Sequence, residues 1–340
     1  MIKSKIISEI GVNHNGSVTL AKRLIDYSVK AKADYVKFQI YKTENMVRKN
    51  AKKSSYQKSN LKDKETQFEM LKKYELSFSS HEKLFNYAKK NRIDYIASPF
   101  DVESYHFLND LKPKLIKIGS GEITNYFLLK EISKFKGEIV LSTGMSNINE
   151  IKEAIKVLKK KNNNLTLLYC CSSYPTKIQD IDLNIMINLK KKFNCEVGLS
   201  DHTQGTDVSI AAITVGAKYI EKHFTIDKFS HGPDHKTSID FNELRTLINK
   251  NNLIYRLFKD GKKKVLKSEL ENRKVARKSL VAKKQITKGK IIKYSDLTSK
   301  RPADGKSPME IKKYIGKKAT KNLDIDEKIF KLPGFTGTLR

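Results

Sequence analysis

The hydrophobic positions of this chain alternate between two rhythms. Short apolar runs at residues 6–10, 35–40, 93–97, 115–118, 138–141, 166–171, 197–203 and 219–225 are rich in β-forming side chains and read as strands. Between them, apolar residues recur at helical spacing over 18–32, 80–90, 102–111, 125–135, 149–160, 183–193, 207–217 and 241–258. Ser17 stands where it can cap the first helix. Eight strand–helix pairs over about 250 residues predict a (β/α)8 TIM barrel. The competing architecture, a doubly wound open sheet, carries a glycine-rich fingerprint after its first strand. The run from Gly11 to Gly16 does not match that fingerprint.

Two stretches break the alternation. Residues 41–79 are polar, with one helical portion near 65–74, and a connection that long is usually a lid or substrate loop. From residue 260 a charged linker runs to 276. Residues 277–340 then read as a small second domain of short strands and turns, at 279–282, 286–292, 308–315, 319–322 and 328–330, with a helical turn near 294–297. A domain of that size needs a partner surface for stability. The expected organisation is a barrel over 1–259, a linker over 260–276 and a small domain over 277–340.

Composition narrows the class. No apolar run is long enough to span a bilayer, and Met1 to Lys5 shows no apolar leader, so a cytoplasmic protein without membrane association is expected. The net charge of +31 invites a nucleic-acid reading, but only nine of the 68 basic side chains are arginine. Arginine is the usual bidentate reader of phosphates and base edges. Lysines spread along the whole chain, with runs at 159–161 and 262–264, suit solvated faces better and can still recruit an anionic substrate. A basic nucleic-acid-binding barrel remains the alternative from another class, and it predicts a steep salt dependence. Cys170, Cys171 and Cys195 are odd in number and lack a C-x-x-C pair, which argues for reduced, buried thiols rather than disulfides or a zinc finger.

In a barrel, chemistry collects at the C-terminal ends of the strands. Those ends carry Glu9 and Asn13, Lys37 and Gln39, Ser98, Lys117 with Ser120 and Glu122, Ser142 and Thr143, Ser172 with Tyr174, Ser200 with His202, and His223. Lys37 and Lys117 interrupt apolar runs, where an unpaired lysine is costly. Lysines and small hydroxyls together suit a phosphate or carboxylate. His202 and His223 end consecutive strands joined by a helix, so they emerge at one sheet edge. Taken alone they read equally as packed core histidines or as a pair sharing a divalent metal. The residues by themselves therefore point to a metal-assisted reaction on a small anionic, phosphorylated substrate.

The runs Ser8-Glu9-Ile10-Gly11-Val12-Asn13-His14-Asn15-Gly16, Val36-Lys37-Phe38-Gln39, Lys117-Ile118-Gly119-Ser120-Gly121-Glu122, Leu141-Ser142-Thr143-Gly144-Met145, Gly198-Leu199-Ser200-Asp201-His202-Thr203, Glu221-Lys222-His223-Phe224-Thr225 and Gly232-Pro233-Asp234-His235-Lys236 resemble the bacterial sialic acid synthase family. Lys300-Arg301-Pro302, Gly305 and Ser307-Pro308 resemble its C-terminal antifreeze-like (SAF) domain. The resemblance covers nearly the whole chain.

It implies a transferase that condenses phosphoenolpyruvate with N-acetylmannosamine and water, giving N-acetylneuraminate and phosphate by C–O cleavage. The alternative is a legionaminate-type synthase acting on 2,4-diacetamido-2,4,6-trideoxymannose. It implies a divalent metal, Mn²⁺ first and Mg²⁺ or Co²⁺ otherwise, held by His202 and His223. Glu9 becomes the acid/base group. Lys37, Ser98, Lys117, Ser120, Ser142, Ser172 and Ser200 become the phosphoenolpyruvate contacts, and Gln39, Glu122, Tyr174 and Asp234 the sugar contacts. It further implies a homodimer in which Arg301 of a swapped SAF domain completes the partner's site. The chain departs from common family patterns in Ser98 for threonine, Ser172 for asparagine and Ile239-Asp240-Phe241 for Leu-Glu-Pro. Residues 41–79 align with no motif, and residues 283–293 lack the flat apolar repeat an ice-binding role requires.

Overall fold

The computed structural model describes residues 2–61, 63–159 and 164–329. The chain divides into two compact units, Met1–Lys259 and Asp260–Arg340.

In the first unit the strands are β1 (Lys5–Gly11), β2 (Tyr35–Ile40), β3 (Asp94–Pro99), β4 (Leu115–Ile118), β5 (Glu138–Ser142), β6 (Leu165–Cys170), β7 (Glu196–Asp201) and β8 (Tyr219–His223). They form one parallel sheet in the order β3-β2-β1-β8-β7-β6-β5-β4, and β3 packs beside β4 to bring the sheet round into a near-closed barrel. A helix follows each strand: Val18–Ala31, Phe78–Lys90, Val102–Asp110, Tyr126–Ile132, Ile148–Leu158, Asn184–Phe193, Asp207–Thr214 and Phe241–Leu257. The barrel is the fold the alternation predicts. Ser17 accepts a hydrogen bond from the Leu20 amide, as the sequence suggests. Residue 160, the expected end of the helix that starts near 149, lies outside the described residues.

The main core fills the space between the outward strand faces and the helices. There Ile6, Phe38, Ile118, Leu199 and Ile220 meet Leu24, Leu84, Leu128 and Leu244. A separate set lies inside the barrel: Ile7, Ile96, Leu115, Val140, Leu168 and Tyr219, with Tyr35 packed against it. Below it, at the strand starts, Glu138 accepts hydrogen bonds from Thr166, Lys218 and Tyr219 at 2.6–2.8 Å. Those three bonds pair the Glu138 carboxylate at that end of the barrel.

Residues 41–77 hold more structure than the single helix expected. Helices span Thr43–Met46, Ser55–Leu61 and Gln67–Tyr74. Tyr41, Leu61, Met70, Leu71 and Tyr74 pack with Val12 into a small core of their own. Thr66 and Glu69 form a reciprocal cap at the start of the third helix. The segment was hard to read because its apolar residues serve this local cluster and follow no single long period.

In the second unit β9 (Ser279–Ala282) pairs antiparallel with β10 (Leu297–Lys300). The expected strand at 286–292 makes only isolated bridges, from Ile286 to Leu323 and from Ile291 to Lys318. The expected turn at 294–297 is a short 3-10 helix, Tyr294–Asp296, running straight into β10. Leu280, Ala282, Ile286, Ile292, Leu297, Tyr314 and Leu323 make its core. Lys267–Glu269 and Leu270–Ala276, inside the expected linker, are helical. Residue 330, the end of the last expected strand, and residues 331–340 lie outside the described residues.

Candidate active site

Pleating sends every second residue of a strand to the barrel interior. Two positions beyond the apolar interior set stand Glu9, Ser98, Lys117, Ser142, Cys170 and Glu221, joined by Lys37 beyond Tyr35 and Ser200 beyond Gly198. One step further come Gly11, Gln39, Phe100, Gly119, Gly144, Ser172, His202 and His223. The barrel thus carries an apolar floor, a charged and hydroxylated layer above it, and a mouth of glycines, histidines and hydrogen-bonding side chains. A cavity of about 290 Å³ opens there.

Of the residues expected to carry chemistry, Glu9, Lys37, Gln39, Ser98, Lys117, Ser120, Ser172, Tyr174, Ser200, His202 and His223 line this cavity. Ser142 is buried beside it with its hydroxyl unpartnered. Asp234 is buried, 3.9 Å from the His223 ring nitrogen, and Glu122 sits on the turn after β4, bonded to Asn125. None of these three lines the cavity wall itself. Arg301 belongs to the second unit, where its Nε donates to the Ala276 carbonyl.

The layer's charges are tightly paired. Lys37 Nζ lies 2.8 Å from Glu9 Oε2 and donates to Ser98 at 3.2 Å. Lys117 Nζ lies 2.9 Å from Glu221 Oε1, which also accepts from Ser200 at 3.0 Å. All four of these residues are at least 94% buried. Burial drives Glu9 above the usual carboxylate range, only partly offset by Lys37. Burial also pushes Glu221 upward, but Lys117 and Lys37 outweigh it and hold that group below the range. Two acids with divergent proton affinities in one pocket can divide acid and counter-ion roles between them.

Backbone conformation opens the mouth. The β1–β2 register shifts between Glu9 and Gly11, and Gly11 adopts a φ of +54°. A Cβ there would stand 3.2 Å from Glu9 Oε1. At Gly144 a Cβ would fall 2.3 Å from the Ser172 hydroxyl and 2.8 Å from that of Ser120, while the Gly144 amide donates to Ser120. This cradle of hydroxyls and an amide near Lys117 suits a phosphate or carboxylate.

His202 and His223 sit 5.4 Å apart between ring centres. Nδ1 of His202 faces the Cys171 carbonyl at 3.0 Å. A carbonyl only accepts, so in the neutral ring Nδ1 carries the proton and Nε2 keeps its lone pair. His223 Nδ1 is buried without a hydrogen-bond partner, and burial together with the charge of His202 drives this ring well below its ordinary proton affinity. Burial opposes a charge on His202, but Cys170 and the Cys171 carbonyl outweigh it and hold that ring above its ordinary proton affinity. Once His202 gives up that proton, the two rings offer lone pairs that fit a divalent ion. Among the described residues no group of three or more His, Cys, Asp or Glu gathers as a ready-made cation site. Any ion here would therefore rely on water or substrate for its remaining positions.

On the outward face, the residues preceding each histidine are locked together. Asp201 and Lys222 form a buried ion pair at 2.8 Å, and Asp201 also accepts from Thr203 and Ser209. Lys222 donates further to the Thr203 carbonyl at 2.7 Å.

A family model for the NeuB family matches residues 24–263, and one for the SAF domain matches residues 277–330. The chain belongs to the NeuB family. It is 47% identical, over 97% of its length and 99% of the relative's, to the N,N'-diacetyllegionaminic acid synthase of Campylobacter jejuni. It is 40% identical to the enzyme of that name from Legionella pneumophila, over 94% of this chain and 91% of the other. Among solved structures, the N-acetylneuraminic acid synthetase from Leptospira borgpetersenii, in complex with citrate, matches 80% of this chain and 90% of its own with a TM-score of 0.69 and 31% identity. This NeuB-family chain is accordingly an enzyme, a transferase of the nonulosonic acid synthase class. The family is metal-dependent. Among the described residues no helix is long and apolar enough to cross a membrane.

Sequence reasoning missed Glu221, Cys170, Ser54 and Tyr56, all of which line the cavity. Counting back by two from His223 and Ser172 finds Glu221 and Cys170. Nothing in the local pattern marks Ser54 or Tyr56.

Proposed function

We propose that this chain condenses phosphoenolpyruvate with 2,4-diacetamido-2,4,6-trideoxymannose and water, releasing phosphate and N,N'-diacetyllegionaminate. The observation that carries the choice of sugar is identity. The chain is 47% identical to a legionaminic acid synthase and 31% identical to an N-acetylneuraminic acid synthetase. N-acetylmannosamine, the sugar that the motif resemblance put first, is the second reading.

In this mechanism Lys37 and Lys117, with the hydroxyls of Ser98, Ser120, Ser142, Ser172 and Ser200, hold the phosphate and carboxylate of phosphoenolpyruvate. The anion's charge replaces part of what Glu9 and Glu221 supply in the free site, so binding loosens Glu9 from Lys37. C3 of phosphoenolpyruvate attacks the open-chain aldehyde carbon, water adds at C2, and phosphate leaves with cleavage of the C–O bond. Glu9, whose proton affinity burial raises, serves as the acid/base group. Glu221 stays ionised and keeps Lys117 charged. Gln39, Glu122, Tyr174 and Asp234 orient the sugar. A divalent ion held by His202 and His223, Mn²⁺ first among the candidates and Mg²⁺ or Co²⁺ next, supplies Lewis-acid polarisation of the aldehyde when bound. The same proposal includes a homodimer in which Arg301 contacts the sugar's acyl group in the partner's site, so Arg301→Ala should raise the KM for the sugar.

Phosphate release measured with phosphoenolpyruvate, Mn²⁺ and each sugar in parallel tests the reading. Faster turnover of N-acetylmannosamine replaces it with the second reading, and no release with either sugar ends both.

A further inference from the structure

The segment between β2 and the helix Phe78–Lys90 places one aromatic ring in the cavity wall. Tyr56, on the helix Ser55–Leu61, stacks on Tyr174 with ring centres 4.8 Å apart and planes within 26°. Tyr174 in turn lies 4.1 Å from the ring of His202 and 5.9 Å from that of His223. The rings therefore form a row leading outward from the histidines, through Tyr174, to Tyr56.

The helix that carries Tyr56 is fastened at several points. Asn60 donates to the Pro233 carbonyl at 2.7 Å, next to Asp234. Leu61 is buried in the small core with Tyr41, Met70, Leu71 and Tyr74. Lys53, at its start, pairs with Asp63. The Tyr56 ring is thus a built part of the pocket, half-buried, with its hydroxyl close to Gln57.

Position along this row maps onto the sugar. The reacting aldehyde carbon must lie by the histidines and above the phosphoenolpyruvate cradle of Ser120, Gly144 and Lys117. A sugar lying along the row of rings carries its carbons furthest from the aldehyde toward Tyr56. At that end the two candidate sugars differ, one bearing an acetamido group at C4 and a methyl at C6, the other hydroxyls at both. A flat aromatic face favours the methyl and acetamido groups, because it offers them apolar contact and gives a hydroxyl laid against it no replacement for its hydrogen bonds to water.

We propose that Tyr56 is a specificity-determining residue whose ring forms the wall for the 4-acetamido, 6-deoxy end of the sugar. This rests on the legionaminate-type reading above and assigns the sugar selectivity to the segment that departs from the barrel's regular pattern.

Wild type, Tyr56→Ala and Tyr56→Phe are each assayed for phosphate release with both sugars, and kcat/KM is taken for each. The ratio of kcat/KM for the trideoxy sugar over N-acetylmannosamine should fall about tenfold or more in Tyr56→Ala, the range a few apolar contacts command. It should be kept in Tyr56→Phe, which retains the ring. The KM for phosphoenolpyruvate and the thermal midpoint separate a sugar-wall role from a general loss of structure, and both should hold in both variants. An unchanged ratio in Tyr56→Ala overturns the proposal. So does an equal fall in Tyr56→Phe, or a rise in the phosphoenolpyruvate KM that keeps pace with that of the sugar. A wild type that prefers N-acetylmannosamine overturns the sugar reading itself, is seen before any variant is made, and takes the proposal with it.

Discussion

Ile7, Ile96, Leu115, Val140, Leu168 and Tyr219 share their strands with Glu9, Ser98, Lys117, Ser142, Cys170 and Glu221, two residues further along. The separation is about 7 Å. Backbone geometry and burial are nearly the same in both sets, yet the first is held by dispersion and the second by ion pairs. The floor is an apolar cluster that fills the barrel interior. The layer above it keeps the Ser142 hydroxyl, Glu221 Oε2 and, one step on, His223 Nδ1 without hydrogen-bond partners. Buried polar atoms of that kind are held ready for a ligand at a cost in stability. Stability and chemistry are thus assigned to adjacent turns of the same pleat.

Substitutions can test that division. Glu9→Gln should lower kcat about 10²–10⁴-fold, the usual worth of an acid/base group, while the phosphoenolpyruvate KM falls or holds, because Lys37 no longer has to leave a carboxylate to meet the anion. Full activity in a phosphate-release assay would reduce Glu9 to a counter-ion for Lys37. Glu221→Leu should cost about 3–5 kcal/mol in urea unfolding, because it strands a buried lysine. Adding Lys117→Met makes the layer resemble the floor. The double variant should regain much of that stability and remain inactive. Leu168→Ala, in the floor, should cost about 2–5 kcal/mol while the folded fraction keeps its kcat and KM. A large loss of activity there would show that the two layers are not separable.

The smallest effect comes from outside both sets. His14 and His81 are buried, and burial brings them down to about 4 and about 3 from 6.5. Below pH 6.5 the unfolded chain takes up protons that the folded one refuses, so stability falls as pH drops toward 4. At pH 5 each imidazole should account for about 2 kcal/mol, read as a falling thermal midpoint. His81→Gln should flatten that slope.

The barrel was legible because alternating strand and helix periods leave few other topologies, and the strand ends then mark the site. Glu9, Lys37, Lys117, His202 and His223 could be named from the chain for that reason. Glu221 and Cys170 were harder, since each lies inside a strand and gains its role through register: Ser200 pairs with Glu221 and Cys170 with Ser200. Tyr56 was out of reach, because its place in the cavity wall is set by a ring 118 positions away in the chain. Residues 41–79 were expected to be a lid or substrate loop, and the structure shows three short helices with their own core bordering the cavity.

The Asp201–Lys222 pair has a consequence for descent. Loss of either charge alone leaves its buried partner unmatched, a penalty of about 3–5 kcal/mol. Single-step changes at either position therefore carry that penalty, and the two positions are expected to change together. Across relatives, both residues should be kept or both exchanged. A lineage that carried one without the other would need a compensating change at Thr203 or Ser209, the only other side chains that donate to Asp201 among the described residues.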